Sequence, residues 1–376
     1  MTDPTHTAVG TWSGGRFMRF GEQLDDDRLI ALLRPDDRIR TVMTADTYGA
    51  GEADTLLGRA LDGVPRDDYC LIGAIGHDFY EGEREGAKGF PRFTDPRLRG
   101  PEEYGSYLRM AAERSLERLG VDHFDVLLLH NPDRAGYTSD AVWEGMAALR
   151  DAGLTRLLGV APGPANGFTL DVIDCLERFG ALIDWAMLIL SPMEPWPGEL
   201  ALEAAERHGV DVIARVVDYG GLFWDDVLPG HDFAERDHRL FRPQGWIEAG
   251  REKLERMRPV AERHGLTPLQ LSCAWDLAHA PVKTVVPTLI QEPGGRAVEA
   301  KRDELAATPR QSPLSAAEVA ELRDIGDNRG SMLLKGATPD HDGPALTDRW
   351  GVDEQLAELA ARWRIDPARD LTKSVA

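Results

Sequence analysis

The sequence is poor in cysteine, with three in 376 residues. Cys70, Cys175 and Cys273 stand far apart in apolar surroundings. That spacing argues against a disulfide framework or a cysteine metal cluster and reads as buried free thiols in a reducing compartment. Long apolar runs are also missing. None approaches the ~20 residues that span a bilayer. The stretch 1–10 has neither a basic n-region nor an apolar h-region, so no secretory signal is expected. Positive charge is the third shortage. Lysine and arginine number 43 against 64 aspartates and glutamates, a formal net charge of −21. A surface of that sign repels nucleic acid and anionic lipid and favours solubility. The expectation is a cytoplasmic protein that acts on small molecules, without nucleic-acid or membrane partners. Oligomeric state is left open.

What the chain does have is a regular alternation. Hydrophobic residues make up 42% of it, enough for a large core. Short, nearly continuous apolar runs at 39–44, 69–75, 125–130, 155–161, 183–190, 210–216 and 284–287 read as strands buried on both faces. Between them lie amphipathic stretches at 52–61, 102–119, 141–152, 200–208, 254–264 and 268–279. Several stop at a glycine, and the last starts with Thr267 as N-cap and Pro268 at the first helical position. Repeated β-α crossovers give a parallel sheet, and the strand count favours a closed (β/α)8 TIM barrel over an open sheet. The barrel is expected over 1–329, with insertions at 77–99 and 218–246 after strands 3 and 7. A C-terminal extension, 330–376, carries a helix pattern at 353–363 and is expected to pack on the barrel. Loops that follow barrel strands lie on the face where active sites are built.

Several segments resemble the aldo-keto reductases. Residues 44–52 read TADTYGAGE and are followed by LLGRAL. Residues 108–119 read LRMAAERSLERL, 124–132 FDVLLLHNP, 146–160 MAALRDAGLTRLLGV, and 261–287 AERHGLTPLQLSCAWDLAHAPVKTVVP. The resemblance runs from about residue 10 to about residue 325. It implies carbonyl reduction with NADP(H), in which a tyrosine donates the proton, a lysine and an aspartate tune that tyrosine, and a histidine orients the carbonyl. By position the tyrosine is Tyr48 and the histidine His130. The aspartate's position holds Met43 and the lysine's holds Ala74. A Ser-Asn pair that the family often places after strand 5 is replaced by Ala161-Pro162. A free tyrosine has a pKa near ~10, and a neighbouring cation lowers it. Losing both members of an ion pair removes a buried charge instead of stranding one. The pattern therefore reads as a reworked site.

The candidate catalytic residues are Tyr48 and His130. Candidates for holding the cofactor are Thr11 and Trp12 near the first strand, Arg215 at the end of strand 7, and Thr288, Gln291, Arg296 and Lys301 around the last strand and the helix after it. Arg302 belongs to the same basic cluster. Barrels commonly bind phosphate there. Asp46 is either a loop acid or a group near the mouth. Lys88, Arg84 or Arg92, from the first insertion, are candidates to replace the missing lysine, against a solvated basic loop. A metal held by His77, Asp78, His130 and Asp218 is the weakest reading, because no tight ligand spacing supports it. Trp196 and Trp224 read as substrate walls or rim packing. Three functions follow: a divergent NADP(H)-dependent oxidoreductase on a polar or sugar-like carbonyl, a non-redox isomerase, epimerase or lyase, and a binding protein that kept the fold.

Overall fold

A computed structural model describes residues 3–84, 89–163, 168–242, 244–329 and 352–371. Eight strands form one sheet in chain order: β1 Ala8–Gly10, β2 Thr41–Met43, β3 Cys70–Ile75, β4 Phe124–His130, β5 Thr155–Ala161, β6 Trp185–Ile189, β7 Asp211–Arg215 and β8 Val282–Val286. Each neighbouring pair is parallel. A parallel bridge from Thr7 to Val285 brings the last strand back to the first. The chain is a (β/α)8 TIM barrel.

Helices cover the outside: α1 Asp26–Leu33, α2 Glu52–Leu61, α3 Tyr104–Leu119, α4 Arg134–Thr138, α5 Asp140–Asp151, α6 Thr169–Phe179, α7 Leu202–His208, α8 Trp246–Arg263, α9 Pro268–Leu277, α10 Val298–Ala306 and α11 Ala316–Gly326. The helix ends follow local chemistry. Thr267 caps α9 by accepting from Gln270 N, and Gln270 returns a bond to the Thr267 backbone. Gly120 ends α3 with φ +71°, a left-handed step that costs glycine little. Helix α8 starts eight residues before the apolar pattern predicts. Trp246 and Ile247 extend its buried stripe against Leu222 and Val227, a contact between loop and helix that periodicity alone does not show.

Strand parity decides which side chains reach the site. In β4, Leu127 and Leu129 pack outward against helices, while Val126 and Leu128 fill the barrel interior. The same interior holds Met43, Ala45, Ile72, Ala74, Ala161 and Ile213. Two residues further on, the period of 2 aims His130 and Arg215 into the barrel mouth.

The first insertion is pinned to the barrel. Its return strand pairs Arg92 with His77, and a buried ion pair joins Asp78 to Arg99. In the second insertion Arg239 is buried between Asp237 and Glu292. The C-terminal helices α12 Glu354–Arg362 and α13 Pro367–Asp370 lie against α6 and the loop after β6. Trp363 Nε1 and Arg362 both bond Glu177, and Trp196 Nε1 donates to Asp370 O at 2.5 Å. Part of the expected extension, 330–351 and 372–376, lies outside the described residues.

Candidate active site

Tyr48 and His130 meet at the barrel mouth. Their ring centroids are 5.8 Å apart, edge to face. Tyr48 follows β2 on a turn where Gly49 and Ala50 are left-handed. Trp12 meets the other edge of Tyr48 at 6.5 Å. Its indole lies across Gly10 so closely that a Cβ there would sit 2.3 Å from the ring. Glycine at position 10 is therefore what lets Trp12 fold over β1. Thr11 is fully buried, with its hydroxyl 3.4 Å from the Thr44 hydroxyl.

The places that the resemblance assigns to an aspartate and a lysine are apolar in fact. Met43 and Ala74 belong to the interior cluster together with Trp185 and Met187, and Tyr48 packs against it. Burial pushes the Tyr48 hydroxyl upward in pKa, and Arg215 opposes that shift. Tyr48 therefore stays protonated at neutral pH and offers an O–H donor.

His130 is held neutral. Burial drives its pKa well below the ordinary value, and His77, Arg215 and Arg92 push the same way. Its Nδ1 is buried without a hydrogen-bond partner. His77 lies beside it, ring centroids 5.2 Å apart. The His77 Nδ1–H donates to Phe90 O at 2.9 Å, and its Nε2 accepts from the Asn131 amide at 3.0 Å. Burial and Arg92 bring the His77 pKa down to about 4. Arg92 Nε donates to Asn131 O at 2.7 Å, which places this arginine of the insertion at the end of β4. Sequence spacing gave no sign that Asn131 and His77 join here. The link is made by the returning insertion, and Gly76 permits it: a Cβ there would meet His130 O at 2.5 Å.

Arg215 completes the mouth. Its Nη2 donates to Pro162 O at 3.2 Å and Gly163 O at 3.1 Å. Its Nε is buried with no acceptor. The residues after His130 and Arg215, Asn131 and Val216, have φ of +48° and +64°. A β-branched residue in that region is strained, at a cost of roughly 1–3 kcal/mol. Both strands thus end in a sharp turn directly behind an inward polar side chain.

The remaining candidates lie elsewhere. Asp46 lies three residues past β2, fully buried and near Asp54, Arg118 and Asp78, and burial raises its pKa well above the carboxylate range. Arg84 is exposed, and Lys88 lies outside the described residues. Trp196 and Trp224 are buried packing residues; Trp224 Nε1 donates to Thr288 O at 2.8 Å. Asp78 is taken by Arg99, and Asp218 accepts from Thr288 N at 2.7 Å. Among the described residues no group of three His, Cys, Asp or Glu converges as a metal site.

The cluster after β8 differs from the mouth. Lys301 is fully buried, 2.6 Å from Asp226, and donates to Ile290 O at 2.5 Å. Arg302 bonds Asp36 and the carbonyls of Leu32 and Arg34. Arg296 is exposed and held by Glu304 at 2.5 Å. Gln291 Oε1 accepts from Val298 N at the start of α10, and its amide donates to Glu292 O and Arg296 O. As placed, these groups do not fit a phosphate unless an ion pair opens. At the mouth, by contrast, Arg215 Nε and His130 Nδ1 are buried without a hydrogen-bond partner.

The sequence model of the aldo/keto reductase family matches residues 8–326. The chain belongs to the aldo/keto reductase family. An aldo-keto reductase from Strobilurus tenacellus is 27% identical over 321 residues, covering 80% of this chain and 87% of that protein. Among solved structures, the glycerol dehydrogenase AKR11B4 from Gluconobacter oxydans superposes with a TM-score of 0.65 at 22% identity, covering 92% of this chain and 97% of that one. An aldo/keto reductase from Klebsiella pneumoniae, solved with NADP and acetate, gives a TM-score of 0.55 at 21% identity, covering 85% and 90%. These likenesses carry the fold. In this aldo/keto reductase Tyr48 and His130 stand together at the mouth, and apolar Met43 and Ala74 line the interior beside Tyr48.

Proposed function

We propose that this aldo/keto reductase is an oxidoreductase that interconverts a polar carbonyl and its alcohol with a nicotinamide dinucleotide. The observation that carries this reading is the pairing of Tyr48 with His130 at the mouth, with Arg215 the cation acting on both. The solved relative with NADP supports the choice of cofactor class by analogy. When bound, the cofactor supplies or accepts the hydride. The chain's own residues orient and polarise. Tyr48 O–H donates to the carbonyl oxygen and passes its proton as the alkoxide forms. Neutral His130 directs a ring N–H at the same oxygen. Arg215 stabilises the negative charge that develops there. Trp12 and Thr11 are the proposed wall for the nicotinamide.

A second reading has a specific observation behind it. Lys301 and Arg302 are committed to the chain's own carboxylates and carbonyls, so the proposed phosphate end favours no dinucleotide. Without a cofactor, the same tyrosine and histidine would move protons in an isomerase, epimerase or lyase. Titration of NADPH and NADH against the fluorescence of the nine tryptophans separates the two. Binding below millimolar with turnover on a carbonyl panel supports the oxidoreductase. No binding near millimolar overturns it. Conversion of substrate without dinucleotide, abolished by Tyr48→Phe, establishes the second reading.

A further inference from the structure

The electrostatics of the mouth run against those of the whole chain. The chain carries −21, yet the charged groups acting on His130 are Arg215 and Arg92, and the one acting on Tyr48 is Arg215. Arg215 has no salt-bridge partner among the described residues. The acid that acts on it, Glu194, is itself bonded to Arg242 at 3.3 Å. A guanidinium has five N–H donors. Arg215 spends Nη2 on two backbone carbonyls, while Nε and Nη1 reach no acceptor in the described residues. An arginine enclosed by protein is ordinarily paired, since leaving the charge uncompensated is costly. Carbonyl oxygens satisfy hydrogen bonds but do not neutralise a cation. The uncompensated charge stands at the end of β7, and its field reaches both Tyr48 and His130.

We infer that the substrate is an anion, an oxo acid or hydroxy acid whose carboxylate is met by Arg215 while its carbonyl or hydroxyl lies against Tyr48 and His130. The planar fork of arginine matches a carboxylate in shape as well as charge. This rests on the proposed function only in assigning the reacting oxygen to Tyr48 and His130. The counter-charge argument stands on Arg215 alone.

The test is calorimetric binding of pyruvate and lactate against their neutral analogues hydroxyacetone and 1,2-propanediol, with inorganic phosphate, NADPH and NADH as separate arms. The native chain should bind the carboxylates at least tenfold more tightly than the neutral compounds. Arg215→Met should abolish that preference, and Arg215→Lys should keep part of it. The Arg215→Met melting temperature should hold or rise, because an uncompensated charge is removed. Equal affinity for charged and neutral compounds overturns the inference. So does a carboxylate preference that survives Arg215→Met, a preference for phosphate over carboxylate, or a loss confined to the dinucleotides. Carboxylate binding without dinucleotide-dependent turnover keeps the inference and removes the oxidoreductase reading. Turnover of neutral carbonyls without charge preference does the reverse.

Discussion

Two groups of cations sit near one end of this barrel, and they are built differently. Around α10, Lys301 faces Asp226, Arg302 faces Asp36, and Arg296 faces Glu304. At the mouth, Arg215 faces backbone carbonyls and neutral rings, with donors to spare. Residue type and position at a barrel's C-terminal face made both groups look like anion sites. Only their partners separate them. A cation bound to the chain's own carboxylate reports on stability, whereas one without a carboxylate reports on a ligand.

The sharpest way to break the comparison is at Tyr48. Its hydroxyl makes no hydrogen bond within the described residues, so Tyr48→Phe should cost less than ~1 kcal/mol of stability. Turnover of whatever substrate is found should fall ~10²–10⁴-fold, the usual contribution of general acid catalysis. Equal kcat in the variant would remove Tyr48 from the chemistry and leave Arg215 as a binding group beside a packing residue.

Next in size is Lys301→Met. It strands Asp226 in a buried setting, where burial already raises the carboxyl pKa against the pull of Lys301. Breaking such a pair costs about 3–5 kcal/mol, measurable by urea denaturation. Adding Asp226→Leu should recover most of the loss. Dinucleotide affinity should stay unchanged in the double variant once it is folded. A selective loss of NADPH affinity in that variant would show that Lys301 serves a phosphate after all.

The histidine pair supplies a pH test. His77 titrates near pH 6.5 when unfolded and at about 4 when folded. The unfolded chain therefore takes up a proton first, and stability falls as pH drops from ~6.5 towards 4. That one group accounts for roughly 3 kcal/mol across the window. His130 shifts in the same direction. His77→Gln should flatten the acid limb of a stability-versus-pH curve. An unchanged limb would mean that His77 is not held neutral by burial and by Arg92.

How much of this was legible beforehand follows from which forces are local. Strand pattern is local, so the apolar run at 125–130 marked the strand, and its period of 2 puts His130 on the interior face with Val126 and Leu128. Helix capping is local, so Thr267-Pro268 marked the start of α9. The alignment of motifs exposed Met43 and Ala74, and the interior cluster shows that their wall is apolar. Partner choice is not local. Asp226 lies 75 residues before Lys301, and Asp36 lies 266 before Arg302. Nothing in the basic run after β8 reveals those acids. Likewise His77 reaches Asn131 only because the insertion folds back through Arg92 and Phe90. Tyr48 and His130 could be nominated from sequence through the family resemblance, and Arg215 because it ends an apolar strand. Their mutual electrostatics could not.

The smallest effect sets the lower end of the comparison. Arg296 is 45% exposed in its side chain and pairs with Glu304, which is 7% exposed. Solvent screens the arginine side of that pair, and Glu304 keeps the Thr267 hydroxyl as a donor when the arginine is lost, so the cost stays near the ~1 kcal/mol upper end for exposed pairs. Arg296→Ala should therefore move the urea midpoint only a little, and raising salt should shrink even that change. The same substitution discriminates sharply on binding. Arg296 is the cation of its cluster best placed to release its carboxylate at little cost. If a dinucleotide phosphate is held after β8, this arginine is where an ion pair opens, and Arg296→Ala would weaken NADPH several-fold at constant stability. Unchanged affinity leaves every cation of the α10 cluster in a structural role and concentrates ligand recognition on Arg215.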